Sequence, residues 1–161
     1  MIVILMGVSG CGKSLIGSML AADLRWPFLD GDDFMPQVNI DKMQSGVPLT
    51  DEDRKPWYDI LHDKIDTLLG QGESAVLACS ALKQPYRDRL LVDHPSVQLV
   101  YLKGDYDLIL SRLDARHDHF MPPGLLRSQF DTLEEPTSCV VIDVSMEPEK
   151  IVKAIKAAIG L

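Results

Sequence analysis

An α/β fold, a three-layer α/β/α arrangement around a five-stranded parallel sheet, is predicted by three observations on this 161-residue chain. Short apolar runs suited to buried strands recur at residues 2–6, 28–30, 75–80, 98–102 and 139–144. Helical periodicity fills the segments between them, and such βαβ alternation implies a parallel sheet covered on both faces. The third observation is the turn that follows the first run. Gly7-Val8-Ser9-Gly10-Cys11-Gly12-Lys13-Ser14 fits G-x-x-x-x-G-K-[ST], a phosphate-binding loop between strand and helix.

Composition bounds what such a fold does here. The length suits one compact domain over residues 1–161, and 46% hydrophobic with 25% charged residues is ordinary for a soluble globular protein. No apolar stretch approaches the ~20 residues of a membrane span. The first apolar run has no basic leader and leads straight into the glycine-rich loop, so it reads as a strand, and a cytoplasmic location is expected. A net charge of −8 argues against a nucleic-acid or membrane-surface binder, both of which need a basic face. Cys11, Cys79 and Cys139 lack C-x-x-C spacing, which fits free thiols and no zinc site.

Each element can be justified in order. After the first strand, Gly7, Gly10 and Gly12 permit the turns that aim successive N–H groups at an anion. Lys13 reaches the β- and γ-phosphates, the Ser14 hydroxyl joins a Mg²⁺ shell, and the helix opening there adds its positive end. Ser9, Cys11 and Leu15 complete the nucleotide-binding stretch. Cys11 is either a small residue whose N–H binds phosphate or a redox-sensitive thiol at a helix N-terminus.

The second strand ends in Asp30-Gly31-Asp32-Asp33, at the C-terminal sheet edge where open α/β sheets bind ligands. A carboxylate there could serve the metal and another could accept a proton from an attacking hydroxyl; the alternative is an acidic turn that caps a helix. Residues 31–55 are polar and turn-rich and read as irregular. A helix then carries the stripe Trp57, Ile60, Leu61, Ile65, Leu68 and Leu69, opened by Thr50 or Asp51 and closed by Gly70 and Gly72.

Past the third strand, Lys83 and Arg87 stand four apart and would share one helix face as an anion clamp. Arg112 and Arg116 repeat the spacing after the fourth strand, before a second irregular stretch at 116–124 that suits a closing lid. His117 and His119 with Asp114 and Asp118 do not make a closed metal-ligand set. The fifth strand and a last helix carrying Ile151, Val152, Ile155 and Ile159 after Pro148 complete the alternation.

Taken together these motifs resemble the gluconate kinase family of small phosphate-loop kinases. The matching positions include residues 7–14, Leu29-Asp30-Gly31-Asp32, Asp53-Arg54-Lys55-Pro56-Trp57, Cys79-Ser80-Ala81-Leu82-Lys83, Tyr86-Arg87-Asp88, Arg112, Arg116, His119-Phe120 and Gln129. The resemblance implies a nucleoside-monophosphate-kinase-like fold and transfer of the ATP γ-phosphoryl group to the 6-hydroxyl of D-gluconate, with Mg²⁺ and often as a homodimer. It implies Asp30 and Ser14 on the metal and Asp32 on the attacking hydroxyl. Arg54, Lys83, Arg87 and His119 would hold the substrate, Arg112 would lie near adenine, and Arg116 near the phosphates. The chain departs from the family pattern at Met35, where a histidine is usual, and at Gln37 and Val38, where basic residues are common. A shikimate-like kinase, a kinase of another aldonate and a homologue without turnover are the alternatives. A GTPase-like switch is disfavoured because neither N-K-x-D nor D-x-x-G occurs.

Overall fold

β1 (Ile2–Met6) is buried along its whole length and occupies the centre of the sheet. β3 (Ala75–Ala78) and β4 (Val97–Lys103) flank it, β2 (Phe28–Asp30) and β5 (Val140–Asp143) form the edges, and the order is β2-β3-β1-β4-β5. Every pairing is parallel, with Ile4 level with Leu77 on one side and Leu99 on the other. This computed structural model describes residues 1–91, 93–115 and 124–161.

Alternate side chains of β1 divide the core in two, as strand geometry dictates. Ile2, Ile4 and Met6 join Leu61 and Ile65 of α3 (Asp51–Gly70). Val3 and Leu5 meet Ile16 and Leu20 of α1 (Lys13–Leu24), and Ile151 and Ile155 of α7 (Pro148–Ile159), on the opposite face. A strand covered on both faces is apolar at every position, which is why the strands read as short continuous runs. No helix among the described residues is long and apolar enough to cross a membrane.

One sequence expectation is corrected and one alternative is decided. Residues 31–55 are mostly helical: a 3-10 turn at Gly31–Phe34, then α2 (Gln37–Gln44), then the start of α3. Asp30 starts the first of these by accepting the Asp32 N–H at 3.0 Å. α2 has too few turns to show a stripe, and it is anchored instead by buried Met43 and by Asn39, whose amide donates to the Asp53 carbonyl at 2.9 Å. Of the two expected caps, Thr50 is the one that opens α3. Its hydroxyl accepts from the Asp53 N–H while the Asp53 carboxylate accepts from the Thr50 N–H, a reciprocal capping box.

The remaining helices complete the layers. α4 (Gln84–Arg89) follows β3, α5 (Tyr106–Asp114) follows β4, and α6 (Gly124–Thr132) precedes β5. The loops after β1, β2 and β3 all leave the same sheet edge, where strand order reverses around β1.

Candidate functional site

The phosphate loop has the geometry its glycines allow. Gly10 and Gly12 sit at φ +84° and +99°, in the left-handed region that side chains resist, and Gly12 leads directly into α1. Lys13 folds back along the loop, its ammonium donating to the Gly7 and Val8 carbonyls at 2.9 Å each. Cys11 is buried against the core beneath the loop, which matches the small-residue alternative and removes its thiol from solvent. Leu15 is half-exposed on the outer side of α1.

Ser14 and Asp30 meet at the mouth of this loop, the hydroxyl donating to Asp30 Oδ2 at 2.6 Å. Two hard oxygen donors beside a phosphate loop fit Mg²⁺, which takes few protein ligands and keeps waters and phosphate oxygens. No group of three or more His, Cys, Asp or Glu side chains placed to hold a metal occurs among the described residues.

A cleft opens between this loop and α3. Ser9, Lys13, Asp32, Arg54 and Tyr86 line it, with Met35, Met43, Leu49, Trp57 and Tyr58 among its apolar walls. Trp57 secures the acidic turn by donating its indole N–H to the Gly31 carbonyl at 2.7 Å. Gly31 is required there, since a Cβ would lie only 2.7 Å from the Ala78 carbonyl oxygen.

Arg54 is aimed by its surroundings: one guanidinium nitrogen donates to the Leu49 carbonyl at 2.6 Å and to the Tyr86 hydroxyl at 3.3 Å. Tyr86 in turn donates to Asp51, and Lys83 pairs with the same carboxylate at 3.2 Å. The Tyr86 hydrogen bond, followed by that from Lys83, holds the Asp51 carboxyl below its ordinary range. Burial first, then Asp51, pushes the Tyr86 phenol up to about 12, so it remains a donor. Tyr58 stacks on Tyr86 with centroids 4.9 Å apart, and its hydroxyl accepts the N–H of Ala81 at 3.1 Å. Ala81 needs that support because it holds φ +47° without being glycine.

The structure separates Arg87 from Lys83. Lys83 precedes α4 as its N-cap, so the two do not share a helix face, and the clamp expected from their spacing is corrected. Arg87 is buried, donating to the Ala81 and Leu82 carbonyls at 2.9 and 3.1 Å and to the Gln84 amide oxygen. It shapes the loop that presents Lys83. Arg112 donates to the Val144 carbonyl at 2.6 Å, tying α5 to the end of β5. Arg116, His117, Asp118 and His119, and the expected lid as far as residue 123, lie outside the described residues.

Three cleft residues escape a reading by charge and spacing. Trp57 and Tyr86 look like core aromatics at helical positions, and only the specific blocks that contain them hint otherwise. Gln129 of α6 accepts the Ser9 N–H at 2.7 Å and lines the cleft, yet an uncharged amide in an amphipathic helix carries no chemical signal of its own.

A phosphate loop facing a cation-lined acceptor cleft across the edge of a parallel sheet defines a small phosphate-loop kinase. The family model described as an AAA domain matches residues 2–145. The chain is 46% identical to the thermosensitive gluconokinase of Escherichia coli, over 97% of this chain and 86% of that protein. Its structure matches a sugar kinase from a Janibacter species with TM-score 0.91 at 40% identity, covering 99% of this chain and 94% of the other. A gluconokinase from Sinorhizobium meliloti matches with TM-score 0.87 at 39% identity, covering 98% and 90%. The chain belongs to the gluconokinase family.

Proposed function

We propose that this chain transfers the γ-phosphoryl group of ATP to the 6-hydroxyl of D-gluconate, giving ADP and 6-phospho-D-gluconate. The observation that carries this reading is one cleft lined jointly by Lys13 of the phosphate loop, by Asp32 and by Arg54. The loop N–H groups and the α1 N-terminus take the nucleotide phosphates, and Lys13 neutralises the β- and γ-oxygens. Arg54 and Lys83 attract the sugar-acid carboxylate, which directs the far hydroxyl toward Asp32.

In the transfer step the hydroxyl oxygen bonds to the γ-phosphorus as the bond to the β,γ-bridging oxygen breaks. ADP leaves with that electron pair, and the hydroxyl proton passes to the Asp32 carboxylate and then to water. Mg²⁺, held by Ser14 and Asp30 together with nucleotide oxygens, supplies charge neutralisation for the phosphates. Arg112, Arg116 and His119 belong to the nucleotide and lid side of the same reading, and Arg87 to the substrate side through the loop it shapes. A homodimer in the cytoplasm is part of it, with sedimentation the check on the dimer.

ADP release from Mg-ATP, with D-gluconate, other aldonic acids, shikimate and nucleoside monophosphates offered separately and the product weighed for an added phosphate, tests the proposal. Turnover on gluconate with a phosphorylated product supports it, and turnover only on another acceptor overturns it. One observation favours a second reading, another sugar acid: buried Met35 lines the cleft where the family pattern usually has a histidine.

A further inference from the structure

Gln129 joins parts of the site that are distant in sequence. Its amide oxygen accepts the Ser9 N–H at 2.7 Å across 120 positions of chain. A backbone N–H can be met only by the oxygen of an amide, so this bond fixes the orientation of the group and turns its NH₂ away from Ser9. The same side chain lines the cleft with Ser9, Lys13 and Asp32, the volume in which a γ-phosphoryl group and an acceptor hydroxyl would meet.

The helix that carries Gln129 is well anchored. Leu125 packs into the core on one face of the sheet and Leu126 into the core on the other. Just beyond α6, the Glu134 N–H donates to the Leu82 carbonyl at 2.8 Å and its carboxylate accepts the Gln84 N–H at 3.0 Å. Gln129 therefore approaches the phosphate loop from a rigid support that also grips the loop presenting Lys83.

We propose that Gln129 is a catalytic residue whose amide oxygen holds the Ser9 N–H while its NH₂ donates to an oxygen of the transferring phosphoryl group. The inference rests on the kinase reading of this cleft. The residue type follows from the need to accept on one side and donate on the other. Arginine has no acceptor for Ser9, and glutamate would accept but repel the phosphoryl oxygens. A donor fixed in advance beside oxygens that carry the charge of the transition state stabilises it without reorganisation.

Gln129→Glu tests this, because it keeps the acceptor and the shape and replaces only the NH₂ by an anionic oxygen. The expected kcat falls about a hundredfold or more. Affinity for a non-hydrolysable ATP analogue falls about tenfold or more, while affinity for ADP, which has no γ-phosphate, is unchanged. A parallel loss of ADP and analogue binding would assign Gln129 a purely structural role and overturn the proposal, as would unaltered analogue binding or unaltered kcat. The wild-type protein assayed alongside separates the two levels of the argument. If it fails to phosphorylate gluconate, the gluconokinase reading falls, and the difference between analogue and ADP binding still judges Gln129.

Discussion

Asp32 and Trp57 line one cleft, and in the proposed reaction the first supplies chemistry and the second positioning. Asp32→Asn removes the proton acceptor but keeps the shape, so kcat is expected to fall by about 10²–10⁴ while ATP binding persists; steady-state kinetics with nucleotide titration checks both. Retained turnover would remove Asp32 from the base role. Trp57→Phe deletes the donor to the buried Gly31 carbonyl, and leaving that acceptor unmet should destabilise the fold by about 1–3 kcal/mol in urea unfolding. Cys79 lies beneath the same site, and burial pushes its thiol up to about 12. It is expected to resist alkylation at neutral pH, as mass analysis of iodoacetamide-treated native protein would show. Lys13 was legible in the phosphate-loop motif and Asp32 in the acidic turn after β2, whereas Arg54 entered only through the family resemblance and Lys83 through a helical spacing that the structure corrects. Arg87 was readable only as a cation, because whether a guanidinium meets a ligand or three backbone and side-chain oxygens depends on the path of the chain around it.

The start of α3 is where element-level energetics bear on the site, since this helix carries Arg54 and Trp57. Thr50→Ala removes one half of the capping box and should cost about 1 kcal/mol of stability in denaturant unfolding. The other half titrates. The Lys42 hydrogen bond, then the Thr50 N–H, lowers the Asp53 carboxyl to about 2. A depressed folded-state pKa gives stability that is present above the ordinary value of 3.8 and is lost as pH falls toward about 2. Wild-type unfolding should therefore weaken more steeply across that window than unfolding of Asp53→Asn, a comparison that circular dichroism can make. The helix 51–70 was legible because its stripe runs for several turns. α2 was not, since eight residues held by Asn39 and Met43 leave almost no period to detect.

Across the whole molecule, the two cores lie on either face of the sheet and the proposed ligand cleft opens beside the phosphate loop. Ligand binding should therefore stabilise the entire fold by mass action. Mg-ATP at a hundred times its Kd is expected to add about 2.7 kcal/mol, raising Tm by roughly 5–10 °C, and Lys13→Met should abolish most of the shift in a thermal melt. No shift for the wild-type protein would argue against nucleotide binding at the loop. With a net charge of −8, the proposed anion site depends on local cations, and Lys13 and Arg54 line one cleft beside the phosphate loop.

Local chemistry by itself determined the alternation of strands and helices, the phosphate loop and the acidic turn after β2, because each depends on neighbours in sequence: hydrophobic period, glycine freedom, a fixed K-[ST] pair. The tertiary structure alone decided that Lys83 and Arg87 part company, that Asp51 and Tyr86 steer Arg54, and that Gln129 reaches Ser9. Those relations mostly join residues tens of positions apart, and only packing of α3, α4 and α6 onto the sheet gives them a direction and a distance.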